Sequence, residues 1–309
     1  FFQAEAGIRD SVASRGLGDV YKRQEEDVIP LFLPLHHIHG IINILSCGLW
    51  AGATVHLFAK FDIPKICEQI VAGTYNVFMA VPTIYVKLIQ YFDTIGPAEI
   101  QTICDGFKDM RLNISGSAAC PVKLFNQWKD LTGQVLLERY GMTEIGMGIS
   151  NPYDGEKRAG AVGQPLPGVE CQLFDEDDTP ITEEAIAGEI RIKGDNVFLE
   201  YWDNEAATTE SFKDGWFCTG DQGYLDDNNN LFVIDRIDNM IIVGGENVYP
   251  AEIENLMPLL KGLTVGILAS IPHNILGKEL VLVYEGKMPD KDYQVWNNVL
   301  KTVSYTHLT

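Results

Sequence analysis

The sequence predicts an α/β protein in which a large domain with a mainly parallel sheet precedes a smaller second domain. Between Asp27 and Tyr140 short apolar segments alternate with helix-like ones, which is typical of strands and helices wound into a parallel sheet. After about residue 160, clusters of Gly, Pro, Asp and Asn separate the strand candidates, which favours a small antiparallel β-barrel or sandwich. The length of 309 residues exceeds one typical core and supports a division into domains.

The first part of the chain contains alternating strand and helix candidates. We expect strands at 28–33, 54–58, 77–81, 111–115 and 135–140. Helices are predicted at about 40–50, 63–73 and 121–131, and directly after Pro82. Pro82 suits the first turn of a helix because its ring fixes φ near the helical value.

The later part predicts short strands followed by a partial α+β domain. Its strand candidates lie at 169–174, 187–193, 222–225 and 231–235. The acidic runs Asp175–Asp178 and Asp226–Asn230 are typical of solvated hairpin loops. A helix near Pro250 and strands at 263–271 and 279–285 predict the start of the second domain.

Composition argues against several classes of partner. The formal net charge of −20 disfavours nucleic acid and anionic membranes, which are bound through an excess of Lys and Arg. The best apolar run, Ile41–Val55, is shorter than the ~18 residues of a membrane helix and contains Gly48 and Gly52. The first 24 residues lack the apolar core of a signal peptide, so we expect a soluble intracellular protein, cytoplasmic or organellar. The six scattered cysteines indicate neither a zinc site nor a disulfide framework, and no pattern indicates an oligomeric state.

The strongest candidate for a functional site is YGMTE at 140–144, which follows the last strand of the parallel part. Open α/β sheets bind ligands at the carboxyl ends of their strands. There Tyr140 offers a flat face for a base, Thr143 a hydroxyl for a phosphate oxygen, and Glu144 a carboxylate for Mg²⁺. Taken alone, the motif is explained at least as well by a polar turn in which Thr143 caps a following helix.

Three further segments strengthen the interpretation of YGMTE as a ligand site. The small-residue turn SGSAACP lets the backbone at Gly116 and Ser117 approach a ligand closely. The turn WFCTGD ends in Asp221, whose carboxylate can accept both hydroxyls of a ribose. Arg236 follows a strand and a glycine pair at 244–245 lies beyond it. Each of these segments has a simple structural explanation when taken alone. Together with YGMTE they make four motifs in a fixed order, and this combination is much harder to explain by structure alone.

In this order the motifs resemble the adenylate-forming superfamily of acyl-CoA synthetases, firefly luciferase and peptide-synthetase adenylation domains. The resemblance covers roughly residues 25–302. It implies that 25–235 is the C-terminal part of a large AMP-binding domain and that 236–302 is a hinge with a truncated small domain. Residues 1–24 and 303–309 do not fit it, and we interpret them as non-native extensions, with ordinary disordered tails as the alternative.

The resemblance implies a role for each motif residue. The nucleotide-binding residues are Gly116, Ser117, Tyr140 against adenine, Asp221 on the ribose, and Arg236 on ribose or phosphate. Thr143 contacts phosphate and Glu144 binds Mg²⁺, and together they are the catalytic pair. Asp238 matches the hinge, and Gly244 and Gly245 match the loop that lines the coenzyme A tunnel.

The resemblance also implies ATP, Mg²⁺ and coenzyme A as reactants, together with a small carboxylic acid. Two family motifs are missing from the sequence. A phosphate loop with its Lys would precede residue 25, and the Lys that promotes adenylation would follow the last residue. We therefore expect the polypeptide as given to be impaired as an enzyme.

The acid is indicated by the flanks of YGMTE. The stretch 136–170, with its SNPYDG segment, is similar to malonyl-CoA synthetases, as are LPLHHIHG and DMRLNISGSA. A dicarboxylic acid needs a cation for its second carboxylate, ideally an arginine fork. We assign Arg111 to this role with help from His37, although an ion pair at a strand start explains Arg111 equally well.

Malonate–CoA ligase is thus the leading hypothesis. The alternatives are a short- or medium-chain fatty acid–CoA ligase and a catalytically silent nucleotide-binding relative. A peptide-synthetase adenylation domain is disfavoured because no acid is positioned to bind an amino group.

Overall fold

The computed structural model describes residues 21–243, 246–254, 263–273 and 277–286. They divide into two compact units, one containing the described residues up to Thr219 together with 224–232, the other containing 220–223 and those from Val233 onward. The predicted α/β class is confirmed. In the described ranges, no helix has the length and apolar character needed to cross a bilayer.

The centre of the first unit is a five-stranded sheet with the order β3-β4-β5-β6-β7. The strands β3 (Val77–Ala80), β4 (Leu112–Ser115) and β5 (Leu137–Met142) are parallel. β6 (Gly146–Ser150) and β7 (Gln164–Pro165) continue the sheet in antiparallel fashion. A separate parallel pair is formed by β1 (Val28–Leu31) and β2 (Thr54–Leu57). The sequence predicted β1 to β5, but the glycine-rich β6 was missed.

Helices connect and cover these strands. They are α1 (His39–Ser46, a π-helix), α2 (Cys47–Trp50), α3 (Ile63–Val71), α4 (Pro82–Phe92), α5 (Pro97–Lys108) and α6 (Val122–Thr132). Their ends follow local chemistry: the Asp62 side chain caps α3 by accepting from the Lys65 amide, and α6 stops at Gly133 in the left-handed region. The core between sheet and helices is aromatic, with edge-to-face contacts of Trp128 to Tyr85 and Phe107 at 4.8 and 4.7 Å.

A second sheet has six strands in the order β11-β12-β10-β8-β9, with β13 beside β12. Its strands are β8 (Val169–Phe174), β9 (Pro180–Ile181), β10 (Gly188–Gly194), β11 (Phe212–Lys213), β12 (Trp216–Leu225) and β13 (Leu231–Arg236), and α7 (Glu205–Glu210) precedes β11. The acidic runs are hairpin turns, as predicted. Asp226 Oδ1, for example, accepts from the amides of Asn228 and Asn230 at 2.9 and 2.8 Å.

The second unit contains two antiparallel pairs and a short helix. β14 (Ile241–Val243) pairs with β15 (Glu246–Val248), and β16 (Leu263–His273) pairs with β17 (Gly277–Gly286). A 3₁₀ turn (Ile237–Asn239) follows β13, and α8 (Pro250–Glu254) follows β15. Buried Asp235 joins them, because its Oδ1 accepts from Asn239 Nδ2 at 3.0 Å and its Oδ2 from the Ala251 amide at 2.9 Å.

Glu138 in β5 is a buried acid whose ionisation is coupled to folding. Burial raises its pKa to about 8, although the backbone N–H groups of Gly160 and Cys120 favour the charged form and partly oppose this shift. The folded chain therefore keeps a proton that the unfolded chain loses near the usual pKa of 4.5. Glu138 contributes stability below that pH, and the contribution is lost as the pH rises towards 8.

We predict that Glu138→Gln flattens the pH dependence of stability. Between pH 6 and 8 the parent chain should lose up to about 1.4 kcal/mol per pH unit more than the variant, because one proton is released. Urea unfolding at several pH values measures this difference, with exposed Glu170→Gln as the matched control. Parallel stability curves for the parent chain and Glu138→Gln would contradict the assignment.

Candidate functional site

Thr143 and Glu144 lie in the tight turn between β5 and β6. Met142 of β5 and Gly146 of β6 are the last paired residues before the turn, and the pairing has a bulge between Tyr140 and Gly141. A Cβ at Gly141 would lie 2.2 Å from the carbonyl oxygen of Gly146, so this hairpin can close only with glycine there. Because a strand follows the turn, Thr143 does not cap a helix, and the structural alternative weighed above is wrong.

The turn holds Glu144 by contacts from a loop that follows β10. Tyr201 donates its hydroxyl to Glu144 Oε1 at 3.1 Å, and the Phe198 amide donates to the Glu144 carbonyl at 2.7 Å. Thr143 is exposed beside it. No group of three or more His, Cys, Asp or Glu in the described ranges could hold a metal ion. Magnesium is often held by one or two protein carboxylates together with phosphate and water, so a single carboxylate such as Glu144 is chemically suited to it.

Gly116 and Ser117 follow β4 at the same carboxyl edge of the sheet. The Gly116 amide donates to the Ala80 carbonyl at 3.2 Å, and Ser117 has a φ of 69° in the left-handed region. Non-glycine residues in this conformation are strained and are concentrated at functional sites. The Ser117 hydroxyl lies 3.0 Å from Nδ1 of His39, at the start of α1. The turn thus joins the ends of β3, β4 and α1.

Arg139 is the residue of this edge that sequence reasoning missed. A Cβ at Gly116 would lie 3.2 Å from its Nε and 3.7 Å from His39 Cε1, so the three residues are neighbours. Arg139 is only 4% exposed; its Nη1 donates to Met147 Sδ at 3.9 Å, and its guanidinium has a further side-chain hydrogen bond to Tyr21. Its Nε and Nη2 have no hydrogen-bond partner among the described residues. A charged pair such as Glu138–Arg139 inside a buried strand is the signal that could have revealed it.

His39 is the buried histidine that contacts Ser117, whereas His37 lies at the surface. His37 is exposed, and its ring contacts that of His36 at 4.3 Å. His39 is 3% exposed; burial lowers its pKa well below 6.5, and the nearby charges of Arg139 and Arg23 lower it further. The imidazole is therefore neutral at ordinary pH. The helix starts two residues after His37 and turns His39 inward, and the role of His37 in the substrate pocket stays a prediction.

Arg111 lies at the opposite, amino end of β4. Its Nε donates to Asp27 Oδ1 at 2.7 Å, its Nη2 forms an ion pair with the same fully buried carboxylate, and Nη1 donates to the Tyr21 carbonyl at 3.0 Å. Because the four residues of β4 lie between them, Arg111 and Gly116 are five residue steps apart, about 16 Å along the strand. The contact with Asp27 is the ion pair at a strand start that the sequence offered as the alternative for Arg111, and the substrate role of Arg111 stays a prediction.

Asp221 and Arg236 lie together in the second unit. Asp221 is buried, and its Oδ1 is 3.3 Å from Arg236 Nη1. The prediction of a turn at WFCTGD is wrong, because these residues lie in β12. Gly220 has a φ of 68° within this strand, and a Cβ there would lie 3.0 Å from Arg236 Nη2, so the glycine allows the guanidinium to approach. Asp238 lies in the 3₁₀ turn after β13. Gly244 and Gly245 lie outside the described residues.

The chain is similar to known enzymes over most of its length. A family model described as AMP-binding enzyme matches residues 7–202. The mitochondrial malonate–CoA ligase of Bos taurus is 36% identical over 296 residues, covering 87% of this chain and 50% of that protein. A long-chain-fatty-acid–CoA ligase of Salmonella typhimurium is 31% identical over 286 residues, covering 92% of this chain and 49% of that protein. The structure of ATP-bound MatB from Rhodopseudomonas palustris matches with a TM-score of 0.78 at 35% identity, covering 89% of this chain and 53% of the MatB chain.

The chain spans about half the length of the curated relatives it matches. The family match begins at residue 7, inside the segment 1–24 that the sequence suggested to be extraneous. Tyr21, which the match includes, is buried in the first unit. The match to the family model covers more than half of the 309 residues, and the chain therefore belongs to the AMP-binding enzyme family.

Proposed function

We propose that the protein is an ATP-dependent acid–CoA ligase that acts through an acyl-adenylate, with malonate as the acid. The observation that carries the proposal is the convergence of the Thr143–Glu144 turn and the Gly116–Ser117 turn at one carboxyl edge of the sheet. This edge is where open α/β sheets bind nucleotides. The names of the relatives support the choice of reaction, and two of them act on different acids.

The proposed first step joins the acid to AMP. A carboxylate oxygen of the acid attacks the α-phosphorus of ATP, the bond to the β-phosphate oxygen breaks, and pyrophosphate leaves. In this step Tyr140 stacks on adenine, Thr143 donates its hydroxyl to phosphate, and the N–H groups at Gly116 and Ser117 line the nucleotide. Glu144 would hold Mg²⁺, which offsets phosphate charge when bound. Positioning and charge stabilisation supply most of the rate.

In the proposed second step the coenzyme A thiol attacks the acyl carbonyl, its proton passes to solvent, and AMP leaves. Asp221 and Arg236 would bind ribose, and Asp238 would be the hinge between the two half-reactions. Gly244 and Gly245 are proposed to line the coenzyme A path. ATP and coenzyme A imply an intracellular location, cytoplasmic or organellar, and the Bos taurus relative is named as mitochondrial.

Acid-dependent exchange of labelled pyrophosphate into ATP tests the proposal on the full-length gene product. We predict the highest kcat/KM with malonate and a lower one with propionate, butyrate and octanoate. Higher activity with a monocarboxylate would favour the fatty acid–CoA ligase. Nucleotide binding without exchange for any acid would favour the silent relative.

We predict that Glu144→Gln reduces malonate-dependent exchange by about 10²–10³-fold, because it removes the carboxylate proposed to hold Mg²⁺, whose positive charge would stabilise the transferring phosphate. AMP binding should persist, since stacking on Tyr140 does not need this carboxylate. The exposed Glu210→Gln in α7 is the matched control. Unchanged exchange in Glu144→Gln would remove Glu144 from the mechanism.

A further inference from the structure

The turn that carries Glu144 is held by a single loop, residues 195–201, which directly follows β10. From this loop the Phe198 amide donates to the Glu144 carbonyl at 2.7 Å, and the Tyr201 hydroxyl donates to Glu144 Oε1 at 3.1 Å. Asn196 Nδ2 adds a hydrogen bond of 2.8 Å to the carbonyl of the residue after Glu144. Two of these bonds fix the backbone of the turn, and the third reaches the carboxylate itself.

The 195–201 loop is anchored on the second sheet by aromatic packing. The Phe198 ring lies 5.3 Å from the ring of buried Phe217 in β12, measured between centroids. The Tyr201 ring packs edge-on against Phe198 at 4.7 Å, and the Tyr201 amide donates to Thr208 Oγ1 in α7 at 2.9 Å. Because both its ring and its backbone are held, Tyr201 presents its hydroxyl from a fixed position.

The hydrogen bond from Tyr201 leaves the second oxygen of the carboxylate available. Tyr201 occupies Oε1, whereas Oε2 accepts no hydrogen bond from the residues that the structure describes, and Glu144 forms no ion pair with them. Glu144 is half-buried, so a ligand can reach it at the turn. The carboxylate is thus held by one oxygen and can bind a hard cation such as Mg²⁺ with the other.

The chemistry of the hydroxyl suits the task of orienting a metal ligand. A tyrosine hydroxyl is neutral, so it orients a carboxylate without cancelling its charge, as a Lys or Arg would. Carboxylates that ligate metals are usually hydrogen-bonded by a second residue, and loss of that residue weakens metal binding or activity by about 10–100-fold. Tyr201 has both the contact and the chemistry of such a residue.

We propose that Tyr201 is a positioning residue that orients Glu144 for Mg²⁺, so that aromatic packing on the second sheet controls metal affinity at the carboxyl edge of the first. This inference rests on the proposed function for the role of Glu144. Without the hydroxyl the carboxylate would populate several orientations, and fixing one of them on metal binding would cost entropy. Tyr201 therefore acts through Glu144.

Calorimetric titration of the full-length protein with ATP, with no acid present, tests the inference without turnover. The quantity measured is the magnesium gain, defined as the ratio of the Kd for ATP in EDTA to the Kd for ATP in Mg²⁺. We expect Tyr201→Phe, which keeps the ring, to reduce the magnesium gain about tenfold. Its ATP affinity in EDTA should not change, because the hydroxyl acts only through the metal ligand. Tyr91→Phe in α4 is the matched control and should leave both constants unchanged.

A double-mutant cycle separates positioning from a general structural effect. In the Glu144→Gln background, Tyr201→Phe should change the magnesium gain no further, because the carboxylate on which the hydroxyl acts is already absent. An equal magnesium gain in the parent protein and Tyr201→Phe would overturn the inference. A loss of ATP affinity in EDTA would overturn it as well, because Tyr201 would then support the whole nucleotide site and not the metal ligand.

The outcomes also separate this inference from the proposed function. A magnesium gain that depends on Tyr201, without pyrophosphate exchange for any acid, would retain the positioning role and reject the ligase. Malonate-dependent exchange with an equal magnesium gain in Tyr201→Phe would reject only the role of Tyr201. No magnesium gain in the parent protein would remove Glu144 as the metal ligand and overturn the role of Tyr201 with it.

Discussion

The parallel pairing of β4 with β5 is the constraint on which the site depends. Its register sets Ser115 beside Glu138, so the next residues, Gly116 and Arg139, meet on the other face. Strand alternation then sends two neighbouring charged side chains in opposite directions. Glu138 is held by the Gly160 amide, while Arg139 is buried beside Gly116 and His39. If the register shifted by one residue, Glu138 would lie on the face that Arg139 now occupies, and Arg139 on the face of Glu138.

The same pairing positions the proposed nucleotide residues. β5 continues beyond its parallel partner into the hairpin with β6, and the tight approach at Gly141 fixes where Thr143 and Glu144 emerge. The hydrogen bond from Tyr201 orients the Glu144 carboxylate. Local donors of this kind matter because the chain as a whole carries a net charge of −20 and repels anions at long range. Binding of phosphate and carboxylate must therefore come from buried or closely placed groups.

The sequence predicted the fold class and most strands because apolar runs bounded by turn residues carry a strong local signal, as in Val77–Ala80. It missed β6, whose glycines obscure strand alternation. It also named His37 and Arg111, and gave no signal for the burial of His39 and Arg139 beside Gly116. Three histidines within four residues are equivalent in sequence, and only the start of α1 decides which one is buried. An arginine near a strand can serve either end of a sheet, and the partner Asp27, 84 residues away, is a tertiary contact.

The central proposal is that the carboxyl edge formed by β4 and β5 binds the nucleotide. A crystal structure of the full-length protein with AMP tests it most directly. We predict AMP at this edge, with adenine against Tyr140 and a phosphate oxygen within about 3 Å of the Thr143 hydroxyl. AMP bound elsewhere, with Tyr140 and Thr143 contacting only protein or water, would contradict the account.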